Sequence, residues 1–463
     1  MEDILNEFRL KFDKLFVIRN LIHEAFQHGL DSDGSNYLYH PIKMLNTHLM
    51  VVPNGRECGR YVALDLGGTN LRVLAISVKN RTVSISPEKF EVPHDIQTGT
   101  GIQLFDYLAD RIDEAFVTLG FKDVDVEVMG FTFSFPCLQN AINHGELIRW
   151  TKGYSATGVE KEDVVAMLRN ACNKKGLKIH DFVLINDTTG TLLCGAFEFE
   201  KCTIGLINGT GTNACYLEKV SNVKKIKGQS DHDLVIINTE WGSFGENHEL
   251  DPYLNRFDFL VDKYSINKGM QIFEKTISGM YLGEIVRYVI IEASDKGIIF
   301  RGGIPDDMEK KNSFPTTLMS DVYSEAVFTQ KFTEIFNYAL DEEEYKTILR
   351  VCDVVVYRAA QLCAAGLWAL ITRINVKDSI IAADGSIFNK HPRFKEYVNH
   401  NLELMLPNDF EIKIEMVDDG SGKGAALAAC VVYESLKRNQ NKQIDSSGSS
   451  NGRQETISDH EEI

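Results

Sequence analysis

Asp187 follows the apolar run Phe182-Val183-Leu184-Ile185 and Asn186, which places a carboxylate at the tip of a buried strand. Transfer of a group to an alcohol needs a base that accepts the hydroxyl proton, and this placement makes Asp187 the best candidate. Glu240 in INTEWGSFG (237–245) and Glu274 in QIFEK (271–275) are two further carboxylates suited to a polyhydroxylated ligand. An ionised acceptor makes hydrogen bonds about twice as strong as a neutral one. Singly, each is an ordinary residue: a strand-ending Asp often forms a turn, and a lone Glu is commonly solvated or a cap. Thr151-Lys152 in IRWTKGY and the SFP at 134–136 read, alone, as loop residues with a snorkelling lysine.

Three glycine-rich turns accompany these acids. In DLGGTN (65–70) two glycines follow a strand, where the backbone bends sharply and turns N–H groups toward an anion. Arg72, one strand step on, is in reach of a phosphate, and Asp65 suits Mg2+ held through water, since that ion keeps much of its hydration. GTGTNA (209–214) fits a dinucleotide fingerprint on paper, but ACYLEKV alternates like a strand where a helix should open. DGSGKGAAL (419–427) is not a standard P-loop: Val417 stands where a glycine is required, and Gly424 follows Lys423. A glycine turn leading into an Ala-rich helix over 425–436 still offers an anion platform.

These turns need a scaffold. The stretches 61–78 and 203–217 both read strand, glycine turn, strand, and superposing their Gly-Thr-Asn sets Asp65 against Asn208 and Gly68 against Gly211. Matching hairpins predict a duplicated nucleotide-binding core. Helical segments at 102–120 and 159–176 alternate with strands at 126–133 and 181–186, an α/β pattern with crossovers. Residues 3–26 predict a packed amphipathic helix, 352–374 an apolar helix, and 380–386 a strand. The polar stretch from Lys437 onward predicts a disordered tail.

A chain of 463 residues exceeds one ordinary core, so two lobes are expected. A net charge of −17 argues against a nucleic-acid binder. Nine cysteines occur without a CxxC pair, which predicts reduced thiols in a cytosolic protein. An acidic start, Met1-Glu2-Asp3, and the lack of an unbroken apolar run near 18 residues speak against a signal peptide or membrane span.

Together the residues closely resemble the hexokinase family. LDLGGTNLRV (64–73), GFTFSFPCLQ (130–139), LIRWTKGY (147–154), INDTTGTLL (185–193), GLINGTGTNACY (205–216), INTEWGSFG (237–245), ADGSIFNKHPRF (383–394) and DGSGKGAAL (419–427) match its motifs in order, over about residues 20–437. The resemblance implies an actin-like ATPase (ribonuclease H-like) α/β fold, with residues 1–59 and 188–428 in a large lobe and 60–187 and 429–437 in a small one, around a deep cleft. It implies MgATP-dependent phosphorylation of the 6-hydroxyl of a hexose, D-glucose first, by a cytosolic monomer or homodimer. Asp187 would be the base and Lys152 would lie near the transferred phosphate. Ser134, Thr151, Lys152, Asn186, Asn213, Glu240 and Glu274 would line the sugar site. Asp65, Gly68, Thr69, Asn70 and Arg72 resemble the first phosphate loop, Thr210 the second, and Gly385, Ser386, Ser421, Gly422 and Gly424 the nucleotide turns. Asn208 and Tyr154 depart from the family's apolar residue and Phe, and 325–352 matches poorly. An idle sugar sensor would have no chemical need of Asp187, Lys152 and Asp65 together, and an ATPase used for conformational work would not need the sugar-site acids.

Overall fold

The computed structural model describes residues 1–31, 40–68, 70–79, 81–224, 226 and 233–448. In chain order the strands are β1 (Leu45–Asn46), β2 (Gly59–Leu66), β3 (Asn70–Lys79), β4 (Thr82–Glu91), β5 (Val126–Phe133), β6 (Cys137–Ala141), β7 (His144–Leu147), β8 (Ile179–Ile185), β9 (Cys202–Asn208), β10 (Thr212–Lys219), β11 (Leu234–Asn238), β12 (Asp378–Asp384) and β13 (Glu411–Met416). One sheet runs β4-β3-β2-β5-β8 and the other β11-β10-β9-β12-β13, with β1 added at the β11 edge. In each, the central strand pairs antiparallel with its hairpin partner and parallel with the strand on its other side. The repeated order and sense are the duplication that the hairpins predict.

The registers differ in detail. Asp65 faces Arg72 across the first hairpin, whereas Asn208 faces Thr212, nearer its tip. Asp65 and Asn208 are therefore not counterparts, because the shared Gly-Thr-Asn sits at different distances from the two turns.

Alternation at a period of two splits each strand between two cores. Val62, Leu64, Leu71 and Val73 join one core with the helices Gly101–Leu119 and Val164–Lys175. Ala63, Leu74, Ile76 and Val183 face a central core shared with Cys215, Ile236 and Ala382 of the other sheet. That sheet's far side packs on a large core containing the helices Phe12–Asp31, Gly279–Asp295 and Glu342–Ile374. The last of these is long and apolar enough to span a membrane by composition, but its apolar window is 89% buried within the protein. It starts ten residues before the predicted 352, where Asp341 and Glu344 form a reciprocal cap.

Two helices fill the central core: Asp187–Glu198 and Gly420–Gly448. They cross with almost no separation. A Cβ on Gly424 would overlap the Cα of Gly190, and one on Gly190 would lie 2.7 Å from the Gly420 carbonyl. Only glycine permits this approach.

The N-terminal stretch is divided into Glu2–Asn6 and Phe12–Asp31. The Gly420 helix runs to Gly448, so 438–448 is helical where a disordered tail is predicted, and 449–463 lies outside the described residues. The expected lobe boundaries at 59/60 and 187/188 fall one residue inside β2 and one residue inside the Asp187 helix, and 428/429 falls within one continuous helix.

Candidate active site

Asp187 opens its helix, and Asn186 caps it by accepting the Thr188 amide on Oδ1 at 2.9 Å. The Asp187 carboxylate accepts the same amide at 2.9 Å, at the N-terminal end of its helix. Its side chain stays 20% exposed, open to a ligand. Lys152 Nζ lies 3.6 Å from Asp187 Oδ2. Lys152 sits in left-handed backbone, φ 55°, in a loop held by an aromatic stack. Trp150 packs edge-on to Phe135 and flat on Tyr154, and donates to the Ala156 carbonyl at 2.8 Å. The Tyr154 hydroxyl, absent from the family's Phe, is buried without a partner.

The first glycine turn closes on this lysine: the Lys152 stem is the nearest neighbour of Gly68, 3.5 Å from where a Cβ would stand. Ser134, buried, donates its amide to Leu66 at 3.2 Å, and the Thr151 carbonyl accepts the Tyr154 amide at 3.1 Å. Asp187, Lys152, Thr151, Ser134 and Gly68 are thus brought together from distant segments. Thr69 lies outside the described residues; Asn70 begins β3.

The facing wall is a network of amides and acids. Asn213 Nδ2 donates to Asn238 Oδ1 (2.7 Å) and Glu240 Oε1 (2.9 Å), and Asn238 Nδ2 donates to the same Glu240 oxygen at 2.8 Å. Asn213 Oδ1 accepts the Glu240 amide at 3.1 Å. Glu240 adopts φ 55°, a costly conformation for a non-glycine residue that these bonds hold in place. Glu274 accepts the Thr212 amide at 2.9 Å and lies against Gly211, where a Cβ would come within 2.5 Å of its Oε2. Asn238 escaped the sequence reading, although it ends an apolar strand two residues before Glu240, much as Asp187 follows its own strand.

Burial pushes the Glu240 carboxyl up, with Asp187 adding to the rise against the Asn238 hydrogen bond and Lys152. Burial also pushes Glu274 up to about 7, against the Thr212 amide and Lys152. Its ordinary value is 4.5, so folding takes up a proton at Glu274 between those values. The stabilisation from that proton is complete below the unfolded pKa and is lost as pH rises through 7. Above that, the buried charge costs about 3 kcal/mol. Glu274→Gln is therefore expected to raise the urea midpoint at about pH 8 and change it little at about pH 5, as read by circular dichroism.

Arg72 is engaged through Nε and Nη2: its guanidinium binds Asp65 Oδ2 (Nε, 2.9 Å), Asp419 Oδ1 (Nη2, 2.7 Å) and Ser421 Oγ (Nη2, 2.9 Å). Ser421 Oγ donates to the same Asp65 oxygen at 3.0 Å. Burial nevertheless pushes the Asp65 carboxyl up. The knot ties β2 and β3 to the start of the Gly420 helix. Asp384 makes the second tie, accepting the Gly385 amide at 2.6 Å and the Gly420 amide at 3.2 Å. Gly385, φ 114°, lies so close to Asn208 that a Cβ would come within 2.5 Å of its carbonyl oxygen. The second turn is seated on the helix Gly279–Asp295, whose first amides donate to Gly209 and Thr210 at 2.7 and 3.1 Å. Asn208 donates to Ile277 at 3.1 Å, its own Oδ1 buried without a partner. Gly209 adjoins Ser386, while Gly422 adjoins Asp419 and Leu74. Asp384 and Asp419, both in Asp-Gly pairs, are the acids the motif reading passed over.

Known proteins with this arrangement are found by sequence and by structure. Sequence models of hexokinase match residues 1–197 and 203–431. Human Hexokinase-2 is 37% identical over 450 residues, covering 94% of this chain and 48% of that protein. The chain thus spans about half the length of several curated relatives it matches. The Hexokinase of Schistosoma mansoni is 37% identical over 435 residues, covering 92% of this chain and 96% of that one. A solved structure described as hexokinase from Schistosoma mansoni complexed with glucose matches with a TM-score of 0.86 and 36% identity, over 93% of this chain and 97% of that one. A second, described as a crystal structure of hexokinase, matches with a TM-score of 0.80 and 27% identity, over 93% and 98%. With near-complete coverage, the duplicated sheets and the site motifs all in agreement, this chain belongs to the hexokinase family.

Proposed function

We propose that this protein transfers the γ-phosphoryl group of MgATP to the 6-hydroxyl of a hexose, with D-glucose the first substrate to test. The observation that carries the reading is the juxtaposition of Asp187 with Lys152 on the first glycine turn, opposite the ring formed by Asn213, Asn238, Glu240 and Glu274. A ring of carboxylate and amide acceptors seats hydroxyls; phosphates would be repelled from it. Lys152 beside Asp187 supplies a cation where phosphoryl charge would arrive.

Asp187 accepts the proton of the attacking hydroxyl as that oxygen bonds to the γ-phosphorus. The bond from that phosphorus to the bridging oxygen breaks and ADP leaves with the electron pair. Little covalent work falls to the protein beyond this; placement dominates. The nucleotide lies along the turns at Gly68, Thr210, Gly385 and Gly420–Gly424.

The residues fit a hydrated Mg2+ carried with the nucleotide. The hydrogen bonds to Asp65 all land on Oδ2, and Asp384 and Asp419 add negative charge nearby. Such an ion neutralises phosphate charge, held through water. The lobes that the resemblance implies close when the sugar bridges them, which keeps water from competing as acceptor. A cytosolic location suits a chain with nine unpaired cysteines.

A sugar panel with MgATP tests the reading. ADP release should depend on added hexose and match the hexose phosphate formed; release at the same rate without sugar would overturn it. Glu240→Ala is further expected to weaken hexose binding more than about tenfold, with MgATP binding changed less than about twofold. Equal losses in calorimetry would remove Glu240 from the sugar site.

A further inference from the structure

Arg149 stands beside the predicted sugar loop but was given no role by the sequence. It leaves the segment that Leu147, Tyr154 and Ala156 anchor in the β2–β5 core. Glu246 leaves a segment that Phe244 and Leu250 anchor in the large core. Arg149 Nη2 lies 3.3 Å from Glu246 Oε1, so the pair joins parts of the molecule that belong to separate cores.

The same oxygen has a second partner. Glu246 Oε1 accepts the amide of Gln271 at 2.9 Å. Gln271, held at φ 53°, is the residue from which the short helix Ile272–Ile277 opens, and that helix carries Glu274. The helix is fastened to the Glu240 loop at further points. The Phe273 amide donates to Phe244 at 2.9 Å, Gln271 Nε2 donates to Ser243 at 3.3 Å, and a Cβ on Gly242 would stand 3.3 Å from the Glu274 Cβ. A displacement of Glu246 therefore reaches Glu240 and Glu274 as one rigid piece.

We propose that Arg149 and Glu246 form a clasp across the cleft that positions the Glu240 and Glu274 carboxylates for the hexose. The inference rests on the proposed sugar site. Arg149 is a positioning residue: it acts through Glu246 and Gln271. The pair is well placed to matter, with side chains 26% and 17% exposed and hence less screened than a surface pair. The surrounding charge is balanced around it: buried Lys43 senses Glu246, Arg149 and Glu240 together. The clasp holds the two walls together where the hexose would bridge them, and its loss raises the cost of closing them on the sugar.

A double-mutant cycle tests this in the full chain. Arg149→Ala and Glu246→Gln are each expected to raise the KM for hexose by about five- to thirty-fold, with kcat and the KM for MgATP within about twofold. The double variant should be no worse than either single one, and Arg149→Lys should recover most of the loss. The urea midpoint of Arg149→Ala should stay near that of the wild type. Additive losses, an equal rise in the KM for MgATP, or an unchanged hexose KM would each overturn the clasp. A wild-type protein that phosphorylates no hexose would instead sink the proposed function, and the clasp with it.

Discussion

Asp187→Ala is expected to lower turnover by on the order of 10²–10⁴ while leaving hexose affinity within a few-fold. The hydroxyl proton must go somewhere as the oxygen bonds to phosphorus. Among the acids facing this space, Glu240 and Glu274 are pushed up by burial and already hold backbone and amide donors. Asp187 alone combines partial exposure, a helix N-terminus and a lysine at 3.6 Å. Removing its carboxylate also frees Lys152, so affinity for MgATP should hold or rise. Asp187→Asn preserves shape and separates loss of basicity from loss of packing. Steady-state rates for both variants, with calorimetry for hexose, settle the assignment; near-normal turnover would refute it.

Gly424→Leu is expected to lose more than about 3 kcal/mol of stability and nearly all activity. Its side chain would have to occupy space held by the backbone of Gly190, three residues beyond Asp187. Neither helix can yield without opening the central core, in which Leu192, Ala425, Ala428 and Cys430 are buried. Asp187 and the glycine turn at Gly420–Gly424 would move apart together. Gly302, where an added Cβ would meet nothing within 4 Å, supplies the control: Gly302→Ala should change stability by no more than about 0.5 kcal/mol. Urea unfolding of the two variants measures both, and a wild-type midpoint for Gly424→Leu would show that the crossing has slack.

The hairpins at 61–78 and 203–217 were legible because glycine turns between apolar strands have few alternative readings. The rejection of a dinucleotide site was equally local: Ala214–Lys219 alternates, and it forms most of β10. What escaped required contacts between distant segments. Arg72 looks like a free cation in sequence, yet two acids and a serine, two of the three more than 300 residues away, engage its Nε and Nη2. Asp384 and Asp419 read as turn formers until their partners across the molecule are seen. Asn238 and Arg149 each adjoin residues that were chosen, and only the bonds to Glu240 and Glu246 distinguish them. The helix from Gly420 outran its predicted end because a polar composition in 438–448 does not by itself distinguish helix from irregular chain.

The placement of the Gly420–Gly448 helix bears on how the molecule is made. A ribosome delivers residues in order, so both sheets precede this helix, and until it emerges Ala63 and Leu74 of the first sheet lack one of the two helices of the central core. In that interval the first sheet's inner face is expected to stay open, a surface of the kind that favours wrong association. Completion of the central core waits on this one late wedge.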